Sequence, residues 1–190
     1  MTATVKRISD RIQVIKEGNS EVRIEIDQKI PRWQETLLVT WLAAWTYCGG
    51  VFLYYALVSK PLSDRIFFII CSSAFLYFFV RIAKVVVWRF IGKEKISIVP
   101  NQLIIQNAFG KWGRKEVLKI SLIQKLGLIK NDPANFLAFL DDSFWIMGGE
   151  RVGFVHGSTK YRVGKQLSVK EAELLVQIVE SSLRAFRKKD

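Results

Sequence analysis

The run LLVTWLAAWTYCGGVFLYYALV, residues 37–58, decides the fold of this chain because it is about 22 residues long and contains no charged side chain. A second apolar run, IFFIICSSAFLYFFVRIAKVVV at residues 66–87, stays uncharged until Arg81 and Lys84 near its end. At 1.5 Å per residue each run makes a helix of about 33 Å, and a hydrocarbon core is about 30 Å thick. The link at 59–65 is short and holds a proline and three charges. The region 37–87 is therefore predicted to be a transmembrane helical hairpin.

The basic residues around the two runs predict the orientation of this hairpin. Seven Lys and Arg residues precede residue 37, two lie in the link, and twenty follow from Arg81 onward. Positive charge concentrates on the cytoplasmic side of membrane proteins. We therefore expect a two-pass protein of the cytoplasmic (inner) membrane with both termini in the cytoplasm. Nucleic-acid binding is the rival explanation of the net charge of +12. We do not expect it, because no predicted helix carries a dense basic stripe.

Small side chains recur along both runs at matching depths in the predicted hairpin. Helices in lipid associate where small residues let their backbones approach closely. We therefore expect the following residues to pack the helices together: Thr40, Ala44, Cys48, Gly49, Gly50, Ser72, Ser73 and Ala74. A notch for a cofactor is the alternative explanation, and no cofactor is predicted.

Two tryptophans, Trp41 and Trp45, lie one helical turn apart in the first run. Side chains at these positions contact lipid, a helix of a neighbouring protein, or a pigment or quinone. We single them out as candidate contacts with a partner or a pigment. No ionisable group lies in the middle of either run, so nothing predicts a path for protons or ions.

Residues 1–36 form an N-terminal segment with two possible local structures. Val5, Ile8, Ile12 and Ile15 have helical spacing among basic residues, which is typical of a basic surface helix. Residues 11–27 instead show apolar alternation on both sides of a turn-rich tetrapeptide, which favours a β-hairpin. We prefer the β-hairpin, which would join this segment to the domain that follows the membrane runs.

Residues 88–190 make up the main part of a cytoplasmic domain. From Lys95 the apolar pattern changes to period two, with turn residues between short runs. Strands are predicted around the following segments: 96–98, 103–105, 117–129, 136–140, 144–147, 152–155 and 161–163. A C-terminal helix is predicted at 168–187, because Ser168 and Glu171 form a capping box before an apolar stripe.

Two segments carry a family resemblance. VGFVHGSTKYRVGKQL at residues 152–167 is followed by Ser168 and Glu171-Ala172, and WRFIGKE occupies residues 88–94. The first segment resembles the end of bacterial membrane-anchored proteins with a pleckstrin-homology-like (PH-like) domain. The second resembles the junction after the second span of those proteins. The resemblance implies an α+β membrane protein, with a two-helix transmembrane hairpin inserted in a PH-like antiparallel β-barrel closed by a C-terminal helix.

The sequence contains few residue patterns that are typical of an enzyme. His156 is the only histidine, and it alternates with the residues of a predicted strand. Asp141 and Asp142 are adjacent in a predicted turn, and neighbouring strand residues point to opposite faces. No glycine-rich loop follows a strand and opens a helix, and too few histidines and cysteines are present for a zinc site. We therefore expect no catalytic residues, no metal and no small-molecule substrate.

Two functions remain. The first is an interaction module, an accessory subunit or assembly factor whose hairpin docks beside other integral membrane proteins. The second is recognition of anionic lipid headgroups, as in some PH domains, because Lys111, Arg114 and Lys115 cluster in one predicted loop. We prefer the first, because the hairpin is uncharged and has aromatic and small-residue faces.

Overall fold

The computed structural model describes the following residues: 3–18, 20–110, 112–129 and 147–187. The chain forms two compact units. Ile30–Arg89 is the first unit, which we call the hairpin. Met1–Lys29 and Phe90–Asp190 together make the second unit, which we call the β unit. The protein is thus an α+β protein in which the β unit is assembled from segments on both sides of the hairpin.

Two long helices, α1 at Arg32–Val58 and α2 at Leu62–Ile91, follow each other in the chain. Pro31 and Pro61 precede them, and proline suits a helix start because its fixed φ is already helical and its missing N–H has no partner there. The helices have 27 and 30 residues, which makes them roughly 40 and 45 Å long. Both extend beyond the apolar runs, and both are long and apolar enough to span a membrane.

A six-stranded antiparallel sheet forms the larger part of the β unit, and strands adjacent in sequence are adjacent in the sheet. Its strands are β1 (Ala3–Arg7), β2 (Ile12–Glu17), β3 (Glu21–Asp27), β4 (Gly92–Val99), β5 (Gln102–Phe109) and β6 (Lys115–Lys119). Because β3 pairs with β4, with Ile24 opposite Ile96, the hairpin is inserted between two neighbouring strands. Where helical spacing had offered a surface helix, the chain instead pairs β1 with β2.

A three-stranded antiparallel sheet in the order β7–β8–β9 contains the other described strands. They are β7 (Ile123–Leu128), β8 (Glu150–His156) and β9 (Thr159–Lys165). A 3₁₀ turn at Ile120–Leu122 takes the chain from β6 to β7, where it pairs with β8 instead of continuing the first sheet. The described strands therefore form two separate sheets and no closed barrel. The strands predicted at 136–140 and 144–147 lie, except for Met147, outside the described residues.

The last helix, α3 at Val169–Arg187, completes the core of the β unit. The predicted capping box forms, since Glu171 N–H donates to Ser168 Oγ at 3.3 Å and Ser168 N–H donates to Glu171 Oε2 at 3.0 Å. Inward-facing side chains of both sheets pack with Leu175 and Val179 of α3 in one hydrophobic cluster. The two sheets and α3 therefore share a single core.

Candidate functional site

Aromatic side chains make the contact between α1 and α2. Trp45 stacks on Phe75 with ring centres 4.5 Å apart, and its Nε1–H donates to the Phe75 carbonyl at 3.1 Å. Phe52 contacts the Phe75 ring at 5.0 Å and the Phe68 ring at 6.1 Å. Tyr55 stacks on Phe68 at 5.4 Å. Because these rings are large, they keep the two backbones further apart than a contact of small residues would.

Beside these rings the hairpin carries an open groove of about 500 Å³. Its lining residues lie between Trp45 and Ala56 on α1 and between Ile69 and Phe79 on α2. The groove is therefore roughly 15 Å long, about three helical turns. Four of the predicted packing residues line it: Gly49, Gly50, Ser72 and Ser73. The structure thus brings these small residues together around a space that the hairpin itself leaves open.

Gly50 has no role in packing within the hairpin. A Cβ added at Gly50 would meet no atom within 4 Å, whereas one at Gly49 would meet the Phe75 side chain at 3.6 Å, an ordinary contact. A glycine inside a helix costs roughly 0.5–1 kcal/mol relative to alanine. No contact within the hairpin offsets this cost. The bare backbone at Gly50 therefore leaves space that a molecule outside the hairpin can occupy.

Three hydroxyl groups line the same groove. Thr46 donates to the Leu42 carbonyl at 2.7 Å and Ser73 to the Ile69 carbonyl at 2.9 Å, each within its own helix. Ser72 Oγ is shielded from solvent and has no hydrogen-bond partner among the described residues. The groove is therefore largely apolar.

The other predicted residues of the hairpin lie elsewhere on its surface. Four predicted packing residues are exposed and do not line the groove: Thr40, Ala44, Cys48 and Ala74. Trp41 stacks on Trp45 with ring centres 5.8 Å apart. The predicted tryptophan pair is therefore in contact, and Trp45 is the member that also lines the groove.

The predicted basic loop leads from β5 into β6. Arg114 and Lys115 are exposed, and neither forms an ion pair with a described residue; Lys111 lies outside the described residues. The turn before them is closed by two hydrogen bonds, from Phe109 N–H to the Trp112 carbonyl at 2.7 Å and from Trp112 N–H to the Phe109 carbonyl at 3.0 Å. Trp112 was not predicted as a functional residue, although its position between Gly110 and Gly113 is typical of a turn.

A buried carboxylate at the start of β4 was also missed. Glu94 is 1% exposed, and its Oε2 accepts hydrogen bonds from the Gly164 N–H at 2.9 Å and the Lys165 N–H at 3.2 Å. Burial raises the pKa of Glu94, against the opposing effect of the Lys165 charge and of these two hydrogen bonds. The signal was the alternation of β4, which places Glu94 on the same inward face as Ile96 and Ile98.

Arg11 lies in the same part of the β unit and fixes three chain segments. It donates to the Asp27 carbonyl at 3.0 Å, the Gln166 carbonyl at 2.7 Å and the Lys165 carbonyl at 3.3 Å. Burial lowers the pKa of Arg11, and the nearby carboxylates, Glu171 first, act against this shift. The guanidinium thus ties the start of β2 to the ends of β3 and β9.

Glu171 connects this cluster to α3. Its carboxylate accepts a hydrogen bond from Ser9 Oγ at 3.0 Å in addition to the capping bonds from Ser168. Partial burial acts to raise the pKa of Glu171, but the hydrogen bonds from Ser168 and Ser9 and the charge of Arg11 lower it overall. Glu94 and Arg11 bond to backbone groups and Glu171 bonds to Ser9 and Ser168, so the three side chains hold this corner of the fold together.

The remaining candidates from the sequence are the histidine and the two adjacent aspartates. His156 lies at the end of β8, half-buried, with its ring edge-on to Tyr161 at 6.0 Å; Asp141 and Asp142 lie outside the described residues. In the part of the chain that the structure covers, no group of three or more His, Cys, Asp or Glu side chains could hold a metal. A second cavity, of about 370 Å³ between β2, β3 and α3, is lined by a single charged residue, Lys16.

Comparisons with known proteins do not add a site to these. The sequence matches no protein-family model and no curated protein. The groove of the hairpin and the loop around Trp112 are therefore assigned from their geometry alone.

Proposed function

We propose that this protein is a membrane-anchored, non-enzymatic interaction module, an accessory subunit or assembly factor of a larger integral membrane complex. In this proposal the hairpin crosses the cytoplasmic (inner) membrane twice, and the β unit lies on the cytoplasmic side. The length and apolar character of α1 and α2 support the two passes. The distribution of Lys and Arg around the hairpin supports the orientation.

The groove beside Gly50 carries this proposal, and its occupant is a transmembrane helix of another protein. Inside a bilayer, lipid tails solvate apolar side chains, so hydrophobicity alone does not recruit a partner helix. Close packing and interhelical hydrogen bonds do. Gly49 and Gly50 offer bare backbone, against which a third helix can pack closely.

The β unit is the second half of the module, and we propose that it is PH-like. Two antiparallel sheets and a C-terminal helix around one core support this. The outer strands of the larger sheet, β1 and β6, each pair with one neighbouring strand among the described residues. Such edges accept extended segments of a partner by strand addition. The hairpin would then bind a partner within the membrane, and the β unit would bind a partner segment outside it.

Site-directed photo-crosslinking in native membranes tests the occupant of the groove. A photo-reactive amino acid is placed at Leu53, which lines the groove, and separately at Tyr47, which is exposed outside it. We expect Leu53 to crosslink to one defined polypeptide and Tyr47 to crosslink only to lipid. Crosslinks from Leu53 to lipid, to a pigment or to a quinone alone would contradict the proposal.

Filling the groove tests whether docking needs it. Gly50→Leu adds a side chain into space that the hairpin leaves open, so the hairpin itself should tolerate it. Ala44→Leu is the matched control, because Ala44 is exposed outside the groove. In purification from native membranes in mild detergent, we expect stoichiometric partner chains with the wild type and Ala44→Leu, and none with Gly50→Leu. Retention of the partner by Gly50→Leu would refute the groove as the docking site.

The alternative function, capture of an anionic headgroup in a PH-like site, receives less support. Neither of the two cavities described above is lined by Arg114 or Lys115. These two side chains are on the surface of the β unit, where they can contact a lipid surface without enclosing a headgroup.

A further inference from the structure

Trp112 is the most exposed large apolar side chain of the described residues, at 83%. The backbone of Trp112 is nevertheless tied to β5, because Phe109 and Trp112 exchange two backbone hydrogen bonds. An indole held out into water is unfavourable, whereas at a membrane surface its apolar ring and its N–H are both accommodated. The loop therefore presents a side chain that suits a membrane–water interface.

Gly113 holds the chain in the conformation that presents Trp112. Its φ is +154°, and an added Cβ would lie 2.4 Å from the Asn107 carbonyl oxygen and 2.9 Å from the Ala108 Cα. Both atoms belong to the backbone of β5, so they cannot move aside as a flexible side chain can. Only glycine fits here without displacing the strand or the loop. The projection of Trp112 is thus built into the backbone.

The loop lies next to the residue at which α2 ends. Phe109 pairs with Gly92, the first residue of β4, and Gly110 N–H donates to the carbonyl of Ile91 at 3.5 Å. Ile91 is the last residue of α2. The apolar run of α2 ends at Val87, which is four residues, or about 6 Å of helix, before Ile91. Within the β unit, Trp112 is therefore close to the point where the chain would emerge from lipid.

The charges beside Trp112 are not neutralised within the described residues. In the same sheet, Lys93 lies 3.0 Å from Asp27 and Lys95 lies 3.4 Å from Glu25. Arg114 and Lys115, in contrast, are exposed and form no ion pair with any residue that the structure describes. The only acid between residues 110 and 119 is Glu116, which follows Lys115 and so points to the opposite face of β6. Among the described residues, no acid therefore competes with an anionic surface for these two cations.

We propose that the Trp112 loop seats the β unit on the anionic lipid leaflet from which α2 emerges. Trp112 lies in the interface, and Arg114 and Lys115 contact lipid phosphates. This differs from headgroup capture, because the contact orients the β unit and encloses no single lipid. The inference rests on the proposed membrane span of α2.

Hydroxyl-radical footprinting of the full chain in nanodiscs tests the proposal. The oxidation rate of Trp112 is measured by mass spectrometry in phosphatidylcholine alone and in a mixture of phosphatidylcholine and phosphatidylglycerol. Each basic residue near an anionic leaflet strengthens docking by roughly fivefold. Since Arg114 and Lys115 act together, we expect oxidation of Trp112 to be up to about 25-fold slower in the anionic nanodiscs. Equal rates in the two lipids would overturn the inference.

Two double variants decide whether the local charges cause the protection. Arg114→Ser/Lys115→Ser should reduce the difference between the lipids to less than about twofold. Lys119→Ser/Lys160→Ser removes the same charge from exposed positions that form no ion pair with a described residue: Lys119 lies at the other end of β6, and Lys160 lies in β9. This control should keep the wild-type difference. An equal loss in both variants would show a general charge effect and overturn the inference.

The same samples separate this inference from the proposed function. Cys48 and Cys71 are free thiols within α1 and α2, so a membrane-spanning hairpin shields both from a water-soluble maleimide. Protected cysteines with an oxidised Trp112 would overturn the loop contact and leave the span intact. Labelled cysteines would contradict the span itself. Protection of Trp112 only in native membranes that contain a partner complex would assign the loop to a protein surface and overturn lipid docking.

Discussion

The hairpin and the β unit place their apolar side chains in opposite ways. In the β unit, residues such as Ile24 and Leu175 are fully buried in one core. Along the hairpin, residues such as Leu53, Ile70 and Leu76 are more than half exposed. A continuous apolar surface of this kind is stable only when lipid or another protein covers it. The β unit therefore supplies its own stability, and the hairpin depends on its surroundings.

The largest expected effect compares one leucine from each unit. Leu175→Ala removes a 0% exposed side chain from the core and should cost about 2–5 kcal/mol, whereas Leu53→Ala removes a 55% exposed one and should cost less than about 0.5 kcal/mol. Hydrogen exchange of the purified full chain reports the opening free energy of each unit separately. Similar losses from the two substitutions would mean that the hairpin has a packed interior of its own.

This comparison also shows which parts of the fold could be predicted from the sequence. The two apolar runs and the capping box of α3 are local patterns, and the structure contains both helices and the box. Strand β1 could not be predicted, because the side chains of Thr4, Val5, Lys6 and Arg7 are all exposed and no alternation marks it. The division into two sheets depends on pairing between distant strands, which no local pattern records.

The candidate site shows the same limit. The spacing of Gly49, Gly50, Ser72 and Ser73 placed small residues at one level of the hairpin, and the structure brings all four into the groove. The spacing of the small residues could not show that the neighbouring rings around Phe75 keep the two helices apart. The inward position of Glu94 could be predicted from the period-two pattern, but its two backbone donors come from the end of β9, seventy residues away.

A comparison of two glycines sharpens the contrast between the units. Gly113→Ala should destabilise β5 and β6 by roughly 1–3 kcal/mol, because the added Cβ would strike the backbone of β5 at a φ that alanine avoids. Gly50→Ala should instead leave the hairpin unchanged or stabilise it by up to about 1 kcal/mol, because the Cβ has open space and alanine favours helix. Hydrogen exchange of peptides from each region measures both changes.

The outcome for these glycines is informative in either direction. A loss of stability in Gly50→Ala, measured on the isolated protein, would mean that other groups of the hairpin pack against the backbone of Gly50. That result would disagree with the open groove in the structure. An unchanged β5 in Gly113→Ala would mean that the loop shifts at no cost, and the presentation of Trp112 would then not be fixed by the backbone.

The smallest expected effect is a change in pH dependence at Glu94, the buried carboxylate of the β unit. Burial raises its pKa above the ordinary value of 4.5, so the folded protein retains a proton that the unfolded chain loses. This stabilisation is complete below pH 4.5 and is lost as the pH rises through the raised pKa. Glu94→Gln keeps the shape and one acceptor oxygen but does not titrate. Its stability relative to the wild type should therefore increase with pH.

Glu171→Gln is the control that separates the two carboxylates, because its titration has the opposite sign. The pKa of Glu171 is lowered in the fold, so its contribution is present above 4.5 and is lost as the pH falls through the lowered value. Urea midpoints of the β unit, measured by pulse proteolysis of the full chain across the pH range, should therefore diverge from the wild type at high pH for Glu94→Gln. For Glu171→Gln the deficit should shrink in acid. A constant offset at Glu94→Gln would mean that Glu94 has the same pKa in the folded and unfolded chain, and a deficit that shrinks in acid would mean that Lys165 and the two backbone donors keep Glu94 ionised in the fold. The corner of the β unit would then be stabilised by charge and not by a retained proton.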